Sequence, residues 1–229
     1  MFEISAVNPS VLLLHRRAFF RFGAMLVAGK AFTGSAYATQ VGLPVGATGR
    51  DQVPGTFDVE GRFPRLAFRM ERVSDNKTVT AQMYRGDVVI IYFGFTRCSD
   101  TCPLTTLNAA RLFSCLGADA KKVRFLFVTV DLDYDKPKRL KHYLAQFGPP
   151  PYIDGLYGTP AELSAFTKRY SVYFKVPAGP NTPDPVSAIQ HSGAVYLFSP
   201  TGEAVAIINN FGSGHPNLEA LAKKIKKLL

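Results

Sequence analysis

An α/β fold, with a central mixed sheet flanked by helices and a hairpin on its amino-terminal side, is predicted by three observations. Two continuous apolar runs, Val88 to Phe93 (VVIIYF) and Arg124 to Val130 (RFLFVTV), have the composition of strands covered on both faces. Segments of helical spacing alternate with them, two of which place proline just inside the first turn. Two late strand-like runs flank Ser199-Pro200-Thr201-Gly202, a strong hairpin signal. At 229 residues, 47% hydrophobic and 19% charged, the chain is long enough for one sizeable core plus a terminal extension, and collagen-like, coiled-coil and disordered classes are excluded.

Residues 1–38 read as an address. They hold Arg16, Arg17, Arg21 and Lys30 against Glu3, so +3 of the net +10 resides there. The arginine pair, a short apolar run from Phe22 to Val27 and the closing Ala36-Tyr37-Ala38 fit a twin-arginine export signal cleaved near Ala38. The expected location is a bacterial periplasm, with the domain soluble after cleavage; the alternative is an uncleaved segment anchoring it to the inner membrane. No other stretch approaches about 18 consecutive apolar residues, so membrane contact is expected to be peripheral at most. The remaining basicity is diffuse, which argues against a nucleic-acid partner. Residues 39–61, rich in Gly, Pro and small side chains, are expected to form an extended leader to a domain over 62–229.

Within that domain, alternating Leu66, Phe68 and Met70, a turn at Asp75-Asn76-Lys77 and a run from Val79 to Met83 predict the hairpin. After the strand Val88 to Phe93, a helix is predicted from Pro103 to Leu116, with Cys102 as its N-cap and Leu104, Leu107, Ala110 or Arg111, and Phe113 to Leu116 on its apolar side. The second strand follows. Pro137 to Phe147 and Pro160 to Tyr170 are helical, and Val172 to Val176 is a short strand. A Pro-rich loop, Lys175 to Ile189, leads to the hairpin Ala194 to Phe198 and Ala204 to Ile208, then to a closing helix around Leu218 to Leu228 with lysines on its outer side. A β-α-β unit followed by a β-β-α unit is the thioredoxin-like arrangement.

The chemistry gathers where the first buried strand turns into a helix. Cys98 and Cys102 are spaced so that both sulfurs reach one side of the first turn, where the helix amino terminus favours thiolates. Two such thiolates could close a disulfide or bind a soft metal such as Cu(I), and zinc fits the donors as well. Asp100, between them, is a candidate to hydrogen-bond backbone amides and so shape the loop that carries the thiols. Among four histidines, His15 falls in the export segment, His142 on a helix and His215 near the last helix. His191 precedes the late strand, at the sheet edge that a thioredoxin-like path brings toward the cysteines. Cys115, over three turns from Cys102, is expected in the core. Asp131, Asp133 and Asp135 alternate as in a calcium loop, but Lys136 and His142 stand where an EF-hand needs Gly and Glu. Asp135 is expected instead to cap the helix beginning near Pro137.

Four segments carry a resemblance: YFGFTRCSDTCP at Tyr92 to Pro103, FVTVDLDYDKPKRLKHYLAQF at Phe127 to Phe147, GLYGTPAEL at Gly155 to Leu163, and QHSGAVYLFSPTGE at Gln190 to Glu203. In this order they resemble the SCO/SenC family of copper-binding, thioredoxin-fold assembly factors for the dinuclear copper centre of cytochrome c oxidase. The resemblance implies that Cys98, Cys102 and His191 hold copper, as Cu(I) or Cu(II). It further implies a metallochaperone serving cytochrome c oxidase subunit II or a related exported copper enzyme, with a copper donor or a thioredoxin-like reductant as further partners. Ser99 stands where the family commonly has proline, and Gln190 where an acid is usual before the histidine. The alternative function is a periplasmic thiol-disulfide oxidoreductase working through Cys98 and Cys102, so whether the protein is an enzyme stays open. A peroxidase of the peroxiredoxin type ranks third, because Thr96 precedes Cys98 by two residues rather than three.

Overall fold

The structure, a computed structural model, describes residues 53–176 and 189–229. The expected export signal, residues 39–52 of the expected leader and most of the Pro-rich loop lie outside the described residues. By compactness the chain divides into Met1–Val45 and Gly46–Leu229, and every described residue belongs to the second unit.

In chain order the elements are β1 (Thr56–Asp58), β2 (Arg69–Arg72), β3 (Lys77–Thr80), β4 (Val88–Gly94), α1 (Thr101–Leu116), β5 (Val123–Thr129), α2 (Pro137–Leu144), β6 (Ile153–Tyr157), α3 (Pro160–Arg169), β7 (Phe174–Lys175), β8 (Gln190–His191), β9 (Val195–Phe198), β10 (Ala204–Ile208) and α4 (Leu218–Lys226). Eight strands form one mixed sheet in the order β1-β10-β9-β4-β5-β6-β2-β3, and β7 pairs with β8 in a separate two-stranded ribbon. β4, β5 and β6 run parallel, while β9 is antiparallel to β4 and β10 to β9. The expected β-α-β and β-β-α units are both present, and the fold is thioredoxin-like.

Every residue of β4 is buried. Its alternation divides the core, with Tyr92 facing one way and Phe93 the other. The Tyr92 side meets Phe127 edge-on at 5.6 Å between centroids, and Phe127 in turn meets Tyr143 of α2. On this side α1 and α4 pack together. On the opposite face Phe166 of α3 meets Phe93 at 5.1 Å. The helix α3 is fixed at its start by a capping box in which Thr159 and Glu162 satisfy each other's backbone amides, with Pro160 inside the first turn.

Four expectations are corrected. The helix α1 begins at Thr101 rather than Pro103, so Asp100 and not Cys102 is the N-cap residue. Its buried stripe runs through Cys102, Thr105, Thr106, Asn108, Ala109, Leu112 and Leu116, leaving Leu107 exposed. Two polar members of that stripe are bonded where they lie: Thr106 Oγ1 donates one turn back to the Cys102 carbonyl at 2.9 Å, and Asn108 Nδ2 donates to the Phe211 and Ser213 carbonyls at 2.8 and 3.0 Å. Cys115 is exposed, since it sits one residue, or about 100°, off the stripe through Leu112 and Leu116. Strands β1 and β6 were not anticipated. β1 falls inside the stretch expected as a leader and pairs with Ala206 to Ile208 of β10.

The sequence of β6, Ile-Asp-Gly-Leu-Tyr, hides its strand character because Gly155 interrupts it. A Cβ there would lie 2.8 Å from Val73 and 2.9 Å from Leu140, so glycine is what lets α2 approach the sheet. Replacing Gly155 by Ala should destabilise the domain by about 1–3 kcal/mol through overpacking, read as a lower urea midpoint with unchanged slope. An unaltered midpoint would show that α2 yields without cost.

Candidate metal centre

Strand direction brings the chemistry-bearing residues together. β4 ends at Gly94, and residues 95–100 carry the chain into the amino terminus of α1, which sets Cys98 and Cys102 over the carboxyl end of the sheet. Because β9 is antiparallel to β4 with Val195 opposite Tyr92, the chain preceding β9 emerges at that same end. His191 lies there on β8, in register with Phe174 of β7. The two sulfurs and a ring nitrogen of His191 all lie within 4.8 Å of one another, the one such group of three metal-binding side chains among the described residues. His142 and His215 are exposed elsewhere.

Each member is held from behind. Cys102 is fully buried in the first turn of α1, where Tyr92 Oη donates to its Sγ at 3.3 Å and His191 Nε2 lies 3.4 Å away. Tyr92 and Phe95 turn ring edges and faces against the imidazole at 6.0 and 5.4 Å between centroids. His191 Nδ1 donates to the Ser192 carbonyl at 3.0 Å, which leaves the Nε2 lone pair turned toward the sulfurs. Gly94 permits this packing, for a Cβ there would stand 2.8 Å from both the Tyr92 and Phe127 rings. An imidazole nitrogen and two sulfurs are a soft donor set suited to copper, and their separations leave room for one ion between them.

The two thiols are not equivalent. Cys98, partly exposed, accepts the backbone N–H of Cys102 at 3.4 Å, so its sulfur takes the capping place at the helix amino terminus, while the Asp100 carboxylate makes no capping bond. The Cys102 thiol foremost, with the backbone amides of Cys102 and Asp100, holds the Cys98 thiol down to about 3 against the opposing effect of burial. Cys102 moves the other way, its proton retained by the bond to Cys98 and by burial. The expectation that both thiols ionise readily thus holds for Cys98 alone. No disulfide joins them, and all three cysteines are free.

The loop before Cys98 is tied to the strand beside it. Asp135, fully buried, accepts from the Thr96 backbone N–H at 2.8 Å, from the Thr96 hydroxyl, and from Thr129 Oγ1 at 2.7 Å. Burial raises its pKa while the threonine bonds oppose that rise. Asp131 takes Arg97 Nε and Nη2 at 3.1 and 2.6 Å. The helix-capping role expected of Asp135 is therefore corrected: its carboxylate turns inward, Lys136 is the N-cap of α2, and Pro137 begins the helix without an N–H to satisfy. Sequence reasoning missed Thr96, Arg97, Asp131 and Asp135 as a set. The available signal was that both segments follow adjacent parallel strands, which places a Thr-Arg pair opposite two carboxylates.

A family model described as SCO1/SenC matches residues 68–229. Mitochondrial SCO2 of Saccharomyces cerevisiae is 31% identical over 153 residues, 66% of this chain and 50% of that protein. The mitochondrial SCO2 homologue of Bos taurus is 35% identical over 121 residues, 52% of this chain and 44% of that one. The chain thus spans about half the length of these relatives. Among solved structures, Bradyrhizobium japonicum ScoI with copper bound is 30% identical, covers 72% of this chain and 99% of its own, and gives a TM-score of 0.62. Copper-bound yeast Sco1 is 34% identical over 72% of this chain and 88% of its own, with a TM-score of 0.57. The matched region begins before β2 and ends with α4, taking in the Cys-Cys-His group entire, and on these grounds the chain belongs to the SCO1/SenC family.

Proposed function

We propose that this protein is a copper metallochaperone. It takes one copper ion on Cys98, Cys102 and His191 and passes it to the dinuclear copper centre of cytochrome c oxidase or of a related exported copper enzyme. The observation that carries this reading is the convergence of two sulfurs and an imidazole Nε2 within 4.8 Å. Membership of the family, and copper in the ScoI and yeast Sco1 structures, support copper over zinc. The Arg16-Arg17 pair and Ala36-Tyr37-Ala38 support delivery to a bacterial periplasm. Among the described residues no helix is long and apolar enough to cross a membrane.

The asymmetry of the thiols suits a carrier. Cys98 is already a thiolate and reaches the surface, so an incoming or departing ion meets it first. Cys102 gives up its proton on capture, which makes uptake proton-coupled. Release proceeds by exchange: a partner's thiolate or imidazole displaces the accessible Cys98 while Cys102 and His191 still hold, and each further exchange completes the transfer. Subunit II of the oxidase is the proposed acceptor, with a separate copper donor upstream.

The same asymmetry favours a second reading, thiol-disulfide exchange. The Cys98 thiolate attacks a partner disulfide, forming a mixed disulfide and expelling one partner thiolate. Cys102, once deprotonated, attacks the Cys98 sulfur, releasing the second partner thiolate and leaving a Cys98–Cys102 disulfide that a thioredoxin-like reductant must reopen. The chain then serves to keep the acceptor's cysteines reduced.

Copper stoichiometry separates the two. The reduced protein loaded anaerobically should retain one copper per chain, and the Cys98→Ser, Cys102→Ser double variant none; a wild type that retains no copper yet cycles a disulfide would establish the reductase reading. Substituting His191 by Ala should weaken copper about tenfold or more and leave disulfide exchange nearly unchanged, measured by competition with a chromophoric chelator. Equal affinity would remove His191 from the ligand set. Alkylation of metal-free protein by iodoacetamide reads the thiols directly. Because the Cys98 thiol lies near 3, its rate should stay flat from pH 8 down to pH 5, falling only as pH approaches that value, with Cys102 unreacted. A rate that drops steadily below pH 8 would show an ordinary thiol.

A further inference from the structure

The cations of α2 and its approach are unusual in their company. Lys136, Lys138, Arg139 and Lys141 are exposed, and between residues 132 and 142 only Asp133 is an exposed anion. Among the described residues none of the four forms an ion pair with a carboxylate; Lys121, Lys168 and Lys223 are exposed without one too, but only here do four such cations fall within six residues. Lys136 and Lys141 bond to backbone carbonyls of Leu132 and Ser74, which fixes the chains without neutralising them. The chain does not hold the missing charge in reserve, since the residues outside the description carry five cations and three anions.

This face is ordered and adjoins the metal centre. The half-exposed ring of Tyr134 is stacked by two guanidiniums, Arg139 at 3.8 Å from its centroid and Arg97 at 4.1 Å. Arg97 is the residue before Cys98, and its charge is met by Asp131. Arg139 has the same stacked geometry with no carboxylate opposite it. A preordered guanidinium with free donors recognises a carboxylate by two parallel bonds and loses little side-chain freedom in doing so.

We infer that the start of α2 and its approach, Arg139 with Tyr134, Lys136 and Lys138, docks a carboxylate-rich surface of the protein that exchanges copper at Cys98. The inference rests on the reading of Cys98 as the exchange ligand. It goes beyond it by naming which side of the centre the partner covers and by what charge. A partner must cover Cys98 to bring its ligands in, and anions placed against α2 both steer the encounter and set its orientation. A lipid surface would also attract lysines, but it has no need of a planar guanidinium held on an aromatic ring beside the metal ligands.

The test uses the full, reduced, metal-free chain, so its outcome does not depend on copper being retained. Two fluorescein-labelled peptides without cysteine, one glutamate-rich and its glutamine twin, are titrated by anisotropy. The glutamate peptide should bind about tenfold tighter at low salt. That preference should vanish in Lys138→Glu, Arg139→Glu and persist in Lys121→Glu, Lys223→Glu, which makes the same change in net charge elsewhere. The bound glutamate peptide should also slow alkylation of Cys98 severalfold. Equal loss in both double variants would overturn the proposal in favour of diffuse attraction, and undiminished alkylation would overturn the placement beside Cys98. Sedimentation with phosphatidylglycerol vesicles supplies the remaining arm. Vesicle binding lost only in the α2 variant, with the peptide preference intact, would overturn it in favour of a membrane surface. Failure of the copper reading shows separately, as absent metal in the stoichiometry measurement.

Discussion

The antiparallel pairing of β9 with β4 is the constraint on which the centre depends. Val195 opposite Tyr92 sends the chain before β9 to the end of the sheet where β4 delivers its cysteines. Had β9 joined in parallel, His191 would emerge at the far end of the same strands, about the length of β4 away. The two cysteines owe their proximity to local chain geometry. The histidine owes its place to a long-range register, which a fully buried strand enforces because a one-residue slip would turn Tyr92 and Phe93 to the wrong faces.

Around that register the protein spends buried polar groups on position. Asp135 holds Thr96, Asp131 holds Arg97, and the Nδ1 bond to Ser192 sets the imidazole. Burying a carboxylate is costly unless its oxygens are bonded, and here those bonds run to the loop that carries Cys98. Of the alternating aspartates that resemble a calcium loop, Asp131 and Asp135 are thus internal anchors, while Asp133 is exposed beside the lysines and Arg139.

The sequence made the fold legible wherever an element buried both faces or presented a turn of distinctive chemistry. VVIIYF and RFLFVTV lie within a residue of β4 and β5, and Ser199 to Gly202 does join β9 to β10. It failed at β6, where Gly155 and Asp154 look like a loop until the approach of Leu140 is known. It failed again on α1, where Thr105, Thr106 and Asn108 are buried, Asn108 being satisfied by carbonyls distant in sequence, so that hydrophobic periodicity picked the wrong side. Of the candidate site, the cysteine pair was readable from strand, spacing and proline. His191 came from the family resemblance, because a histidine before a strand has no local signature of its role. The unequal thiols could not be read at all, for they arise from the hydrogen bond between the two thiols, the burial of Cys102 and the backbone amides around Cys98, which meet only in three dimensions.

The ribbon of β7 and β8 has one more consequence. Cys98 and Cys102 share a single loop and helix turn, whereas His191 is brought in on a separate two-stranded arm. On the proposed copper reading the histidine would be a tethered ligand, its contribution an effective concentration set by how well the arm is seated on Phe95 and Tyr92. Affinity for the ion would then be adjustable without touching a ligand. A partner that merely lifts the arm would lower the denticity of the centre from three to two.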